Sequence, residues 1–119
     1  MTRDDLLDLI PLERFRNPPP SVAVLRFDGV IGARGRRAIS LRRFAAALDR
    51  AFSLRNVKAV ALLINSPGGS PVQSSLLYRR IRQLAEEAAV PVLAFAEDVV
   101  ASGGYLLSLA ADEIFAEET

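Results

Sequence analysis

The chain has 119 residues, half of them hydrophobic, with no histidine, no cysteine and a formal net charge of +1. That length specifies one domain whose core can bury about two thirds of the unfolded surface. A charge near zero argues against a nucleic-acid partner, since phosphate binding needs a concentrated positive excess. The lack of cysteine excludes disulfides, thiolate metal sites and a cysteine nucleophile, and fits a reducing compartment.

In chain order, Met1 to Arg16 mixes apolar residues with Arg3, Asp4, Asp5, Asp8, Glu13, Arg14 and Arg16, the pattern of a soluble amphipathic segment and not of a signal peptide. Pro18-Pro19-Pro20 then forces extended backbone, which places a boundary at residue 20 and the main domain over 21–119. Val22 to Phe27 reads as a first strand closed by Asp28-Gly29, with Val30-Ile31-Gly32 extending or bending it. After a polar loop around Arg34 to Arg37, Ser40 caps a helix over 41–53, with Leu41, Phe44, Ala45, Leu48 and Phe52 at helical spacing. Val57 to Ile64 is a nearly continuous apolar run, as in a parallel strand covered on both faces.

Ser66-Pro67-Gly68-Gly69 follows, and Ser70-Pro71-Val72-Gln73 starts a second helix, with Ser70 as N-cap, Pro71 at the first helical position and Gln73 closing a capping box. That helix runs to about Ala88, with Leu76, Leu77, Ile81 and Leu84 assigned to the core. Pro91 to Ala96 is a third strand, and Glu97-Asp98 reads as a polar turn after it. A third helix from Ala101 places Leu106, Leu109 and Ala110 on one face, and Glu113 to Ala116 is a fourth strand. Strands alternating with helices predict an α/β layer fold with a mostly parallel sheet. No stretch approaches the roughly 20 apolar residues of a membrane span, so any membrane contact is expected to be peripheral, and the expected location is the cytoplasm or its membrane surface.

The chemistry gathers at the carboxyl ends of the second and third strands, where open α/β sheets place their sites. Gly68-Gly69 lets backbone N–H groups face a ligand and leads into a helix N-terminus that favours negative charge. Ser102, just before Gly103-Gly104, points its hydroxyl to the same edge, with the Gly103 N–H as a second donor for an oxyanion. Each loop by itself reads first as an ordinary turn or cap. Their occurrence on successive β-α connections argues for one shared site.

The motifs Asn65-Ser66-Pro67-Gly68-Gly69-Ser70, Val100-Ala101-Ser102-Gly103-Gly104-Tyr105 and Ala110-Ala111-Asp112-Glu113-Ile114 closely resemble the signal peptide peptidase A and SohB family of serine–lysine peptidases. Val22 to Gly32 resembles the family's opening strand and glycine turn. The resemblance implies a ClpP/crotonase-like fold, Ser102 as nucleophile, an oxyanion hole from the N–H groups of Gly69 and Gly103, and Pro67, Gly68 and Gly104 as supporting loop residues. It also implies a peptide substrate, assembly into homo-oligomers, and a base lysine some tens of residues after the nucleophile. Fold relatives using a Ser-His-Asp triad are excluded for this chain by its lack of histidine, and acyl-CoA hydratase-like chemistry needs no serine at this helix start.

Lys58 is the single lysine, and as the start of the second strand it lies at the amino edge, away from Ser102. The expectation is therefore a peptidase domain truncated at its C-terminal end, with the base beyond Thr119 and the 119 residues inactive alone. The alternative is a non-catalytic module of the same fold that binds peptides or assembles copies. No cofactor is expected, and no residue cluster suggests a metal. Arg34, Arg36, Arg37, Arg42 and Arg43 read as a solvated basic face, or as a face for anionic lipid head groups or acidic residues of a neighbouring subunit.

Overall fold

The computed structural model describes residues 18–116, so the amphipathic segment expected at the N-terminus lies outside the described residues up to Asn17. The elements are β1 (Ser21–Asp28), α1 (Leu41–Ser53), β2 (Val57–Ser66), α2 (Pro71–Ala88), β3 (Val92–Val100), α3 (Gly103–Ser108) and β4 (Glu113–Ala116). The four strands form one parallel sheet in the order β1-β2-β3-β4. Each of the three crossovers carries one helix, the last being the short α3, as the alternating sequence pattern requires.

Burial follows from position in the sheet. Along β1, Ala23, Leu25 and Phe27 point into the core while Val22, Val24 and Arg26 point out, the period-two pattern of a strand covered on one face. Central β2 buries Val60, Ala61, Leu62 and Ile64, so its apolar run is continuous. The helices lie side by side, α1 on α2 and α2 on α3, against the face that holds Phe27, Leu62, Ile64 and Ala94. Phe27 and Phe44 tie β1 to α1 with ring centroids 4.5 Å apart. On the other face Val22 and Val24 are exposed, and Phe95 stacks on Phe115 of the edge strand.

The helix starts follow the sequence, with one change. Ser40 Oγ accepts from Arg43 N–H at 3.1 Å and Ser70 Oγ accepts from Gln73 N–H at 3.2 Å, with Pro71 opening α2. Gln73 does not close a capping box, because the Ser70 N–H is already donated to Ile31 C=O at 2.8 Å. Its side-chain oxygen instead accepts from Leu41 N–H at 3.1 Å and joins the starts of α1 and α2. Asp112 sets up β4: its carboxylate accepts from Val92 N–H at 2.8 Å and meets Arg82 at 3.3 Å.

Three expectations are corrected. β3 continues to Val100, so Glu97 and Asp98 belong to a strand and not to a turn. The reason is a bulge: β3 advances from Ala96 to Val100 while β2 advances only from Ile64 to Ser66, and the Asn65 side chain accepts from Val99 N–H at 3.0 Å in place of a ladder partner. Within α3 the buried stripe is Gly103, Gly104, Leu107 and Ser108, followed by Ala110, while Leu109 is exposed. Close packing of the two glycines sets the rotation of that short helix and turns Leu109 outward. In α2, Leu77 and Ile81 are fully buried and Leu84 packs against the core, but Leu76 is exposed, since the inward row is Ser74, Leu77, Ile81 and Ala85.

Ala89 ends α2 at φ 54°, ψ 44°, a left-handed residue whose N–H bonds back to Ala85 and Glu86 carbonyls. Its side chain is exposed, so only the backbone conformation is at stake. Ala89→Gly is predicted to stabilise the fold by about 0.5–1 kcal/mol, relief of left-handed strain outweighing the added chain entropy. A thermal melt read by circular dichroism checks the direction.

Candidate active site

β2 ends in Ser66, whose side chain is fully buried and whose Oγ accepts from Gly68 N–H at 3.1 Å, pulling the chain into a tight corner. Gly68 and Gly69 then take φ of 98° and 145°, where side chains are strained. Gly69 is also pinned from the side: Ile31 N–H donates to Gly68 C=O at 2.9 Å and Ile31 C=O accepts from Ser70 N–H at 2.8 Å. An ideal Cβ on Gly69 would lie 2.1 Å from the Ile31 oxygen. The expected bend at Val30 to Gly32 thus becomes a bridge that holds this corner, pairing Ile31 with both Gly69 and Ile39.

β3 leads into the second corner. Ala101 N–H donates to Ser66 C=O at 3.2 Å, and Gly104 N–H donates to Ala101 C=O at 2.9 Å. Between them Ser102 sits at φ 51°, ψ −119°, exposed, with no capping bond from its side chain. A serine in that backbone region is strained by about 1–3 kcal/mol and persists only where the surroundings impose it. They do so here through glycines. A Cβ on Gly103 would lie 2.3 Å from Ser74 Oγ, and one on Gly104 would lie 2.6 Å from Ser66 C=O, so the start of α3 presses directly on β2 and α2.

The two corners touch. A Cβ on Gly68 would lie 2.7 Å from the Gly103 nitrogen and 2.9 Å from Ser102 Cβ. All six residues singled out in the sequence, Pro67, Gly68, Gly69, Ser102, Gly103 and Gly104, are therefore brought together at the carboxyl edge of the sheet. Among the described residues, neither the Gly69 nor the Gly103 N–H is spent on a hydrogen bond. The arrangement presents a strained, exposed hydroxyl beside two unspent backbone donors, the elements a tetrahedral oxyanion needs.

Sequence reasoning passed over Ser66, Ser74 and Ile31 as site residues. Ser66 carried a signal, being a polar residue at the end of an apolar strand directly before Pro-Gly-Gly. Ser74 and Ile31 carried none, because their part lies in contacts across the fold. Lys58 is exposed at the start of β2, about 26 Å along the strand from Ser66 at the usual rise per residue, and it cannot reach Ser102. Glu97 is engaged with Arg26 at 2.9 Å.

Comparison with known proteins bears on the same region. The family model for peptidase family S49 matches residues 85–119, which include the Ser102 corner. Over 63 residues the chain is also 46% identical to "Serine protease SPPA, chloroplastic" of Arabidopsis thaliana, covering 53% of this chain and 9% of that protein. Through these segments the chain resembles peptidase family S49. A protein of Brucella melitensis named "Na(+)/H(+) antiporter NhaA" is 50% identical over 112 residues, covering 92% of this chain but 15% of that protein. No helix of the described residues is long and apolar enough to cross a membrane. The solved structure of a mutant of a membrane-bound stomatin-specific protease superposes with a TM-score of 0.57 at 20% identity, covering 80% of this chain and 42% of that one. That likeness establishes the fold, the ClpP/crotonase-like layering expected from the motifs. The chain thus spans a small part of the length of the relatives it matches.

Two stability measurements test the geometry. Ser66→Ala leaves the buried Gly68 N–H without its acceptor and is predicted to cost about 1–3 kcal/mol in denaturant unfolding. Ser102→Gly is predicted to stabilise the chain by about 1 kcal/mol, whereas Ser102→Ala, which keeps the strain, stays within about 0.5 kcal/mol of the parent in the same titration.

Proposed function

We propose that this chain carries the nucleophile and the oxyanion hole of a serine endopeptidase of the serine–lysine type. The observation that carries the reading is the contact between the Gly68 and Ser102–Gly103 corners, with Ser102 strained and exposed beside two unspent N–H groups. In this reading Ser102 Oγ attacks the peptide carbonyl, and the oxygen that gains charge is held by the N–H groups of Gly69 and Gly103. A neutral lysine takes the hydroxyl proton and passes it to the leaving amine, and water then resolves the acyl-enzyme. That lysine is supplied from outside these 119 residues, because Lys58 sits at the far edge of the sheet and the sequence has no histidine. Substrates of this reading are extended peptides, such as signal-peptide remnants or unfolded segments, handled by an assembly of copies at or near a membrane surface.

One observation favours a second reading. Among the described residues the Ser102 hydroxyl has no hydrogen bond to a basic side chain, as in a non-catalytic module that uses the same corner to bind peptide or to assemble. The two readings separate on a protein that contains this segment within its full-length sequence. A fluorophosphonate probe is expected to label Ser102, with the adduct located by mass spectrometry, and Ser102→Ala is expected to lower peptidase turnover on the order of 10⁵-fold. An adduct on another residue, or none at all, selects the binding module. The 119-residue chain alone is expected to hydrolyse peptide esters no faster than its Ser102→Ala variant.

A further inference from the structure

Beside the site, an open cleft of about 650 Å³ is walled by Asp28, Val30, Gly32, Arg34, Arg37 and Arg43. We infer that this cleft binds carboxylate side chains of the peptide presented to Ser102, so that Arg34 and Arg37 select acidic substrates; the inference rests on the peptidase reading above.

Position is the first ground. Val30 and Gly32 flank Ile31, and Ile31 is the residue whose N–H and C=O are bonded to Gly68 and Ser70. The cleft wall is therefore one strand spacing, about 4.8 Å, from the oxyanion corner. A peptide laid along that corner passes the cleft within a residue or two of the bond to be cut.

Charge is the second ground. Arg26, Arg80 and Arg82 are matched with Glu97, Asp49 and Asp112. The Arg34 and Arg37 side chains have no hydrogen bond or ion pair among the described residues. The only carboxylate of the wall is Asp28, whose Oδ1 faces the Asn65 amide at 3.5 Å. Three arginines thus line the same concavity as one carboxylate, and the Arg34 and Arg37 side chains are uncommitted among the described residues. Guanidinium matches a carboxylate with two parallel hydrogen bonds, which lysine cannot do.

The cleft is also built on held backbone. Ile39 N–H donates to Val30 C=O at 2.8 Å and Gly32 N–H donates to Ile39 C=O at 2.9 Å, closing the base of the loop, and Gly35 at φ 95° reverses the chain at its tip. Arg43 donates to Arg37 C=O at 2.7 Å and lies over the Phe44 ring, 5.0 Å from its centroid, which fixes the returning limb. Donors lining a recess next to an extended-chain site suit a peptide side chain better than a lipid head-group layer, which meets convex surfaces.

The test measures binding by fluorescence anisotropy at low salt, using the 119-residue chain, a labelled extended peptide containing two glutamates and the same peptide with glutamines. The glutamate peptide is expected to bind about 10-fold more tightly, and the double variant Arg34→Gln/Arg37→Gln to abolish that preference. Both arginines are exposed, and a matching thermal melt verifies that the variant is folded. Equal affinity for the two peptides, or a preference that survives in the double variant, overturns the inference. So does binding to equimolar phosphatidylserine–phosphatidylcholine vesicles that needs both arginines while the peptides are not distinguished; that result assigns the face to membranes. If glutamate selectivity follows the arginines but the probe fails to label Ser102 in the full-length protein, the cleft stands and the catalytic reading falls.

Discussion

The backbone of Gly68 lies against the backbone of Ser102 and Gly103 with no room for a single carbon between them, and the site exists because of that contact. A methyl group at Gly68 would collide with the Gly103 amide nitrogen, and one at Gly104 would collide with the carbonyl that ends β2. Glycine here is a condition on distance as well as on dihedral angle. Any added side chain would part the two corners, separating the Ser102 hydroxyl from the backbone N–H groups beside it.

Ser66 is the joint between the two corners. Its Oγ turns the chain into Gly68, and its carbonyl receives Ala101 N–H from the neighbouring strand, so one fully buried residue sets both the shape of the first corner and the height of the second. The β-bulge after Ile64 works with it: it lets β3 run on past β2 and delivers Ser102 over the end of the sheet. The strain at Ser102 is then held in place by parallel pairing on one side and by the bond from Leu106 N–H to its carbonyl on the other. A rigid sheet edge imposes a conformation that serine alone would not choose.

The loop from Gly29 to Ile39 is part of the same construction. It gives Ile31 to the glycine corner through two backbone bonds and turns its arginines toward the adjoining cleft. The sheet face opposite the helices carries Val22, Val24, Phe95 and Phe115 in exposed positions, in contrast to most parallel sheets, which are covered on both faces.

The alternation of apolar strands and amphipathic helices was enough to specify the layer fold, because burial on one face requires period two in β1 and helical spacing in α1 and α2. Local chemistry likewise specified the caps at Ser40 and Ser70 and the turn at Pro67 to Gly69, where hydroxyls, proline and glycine act within a few residues of themselves. The motifs were sufficient to bring Ser102 and Gly69 to one edge. What tertiary structure alone decided was the extension of β3 through Glu97 and Asp98, the outward turn of Leu109 and Leu76, the use of Gln73 at the start of α1, and the parts taken by Ile31 and Ser74. Each of these depends on which atoms of a distant segment arrive in contact. Periodicity reports how a residue faces its own element, but the distance between two loops is set by the packing of everything beneath them.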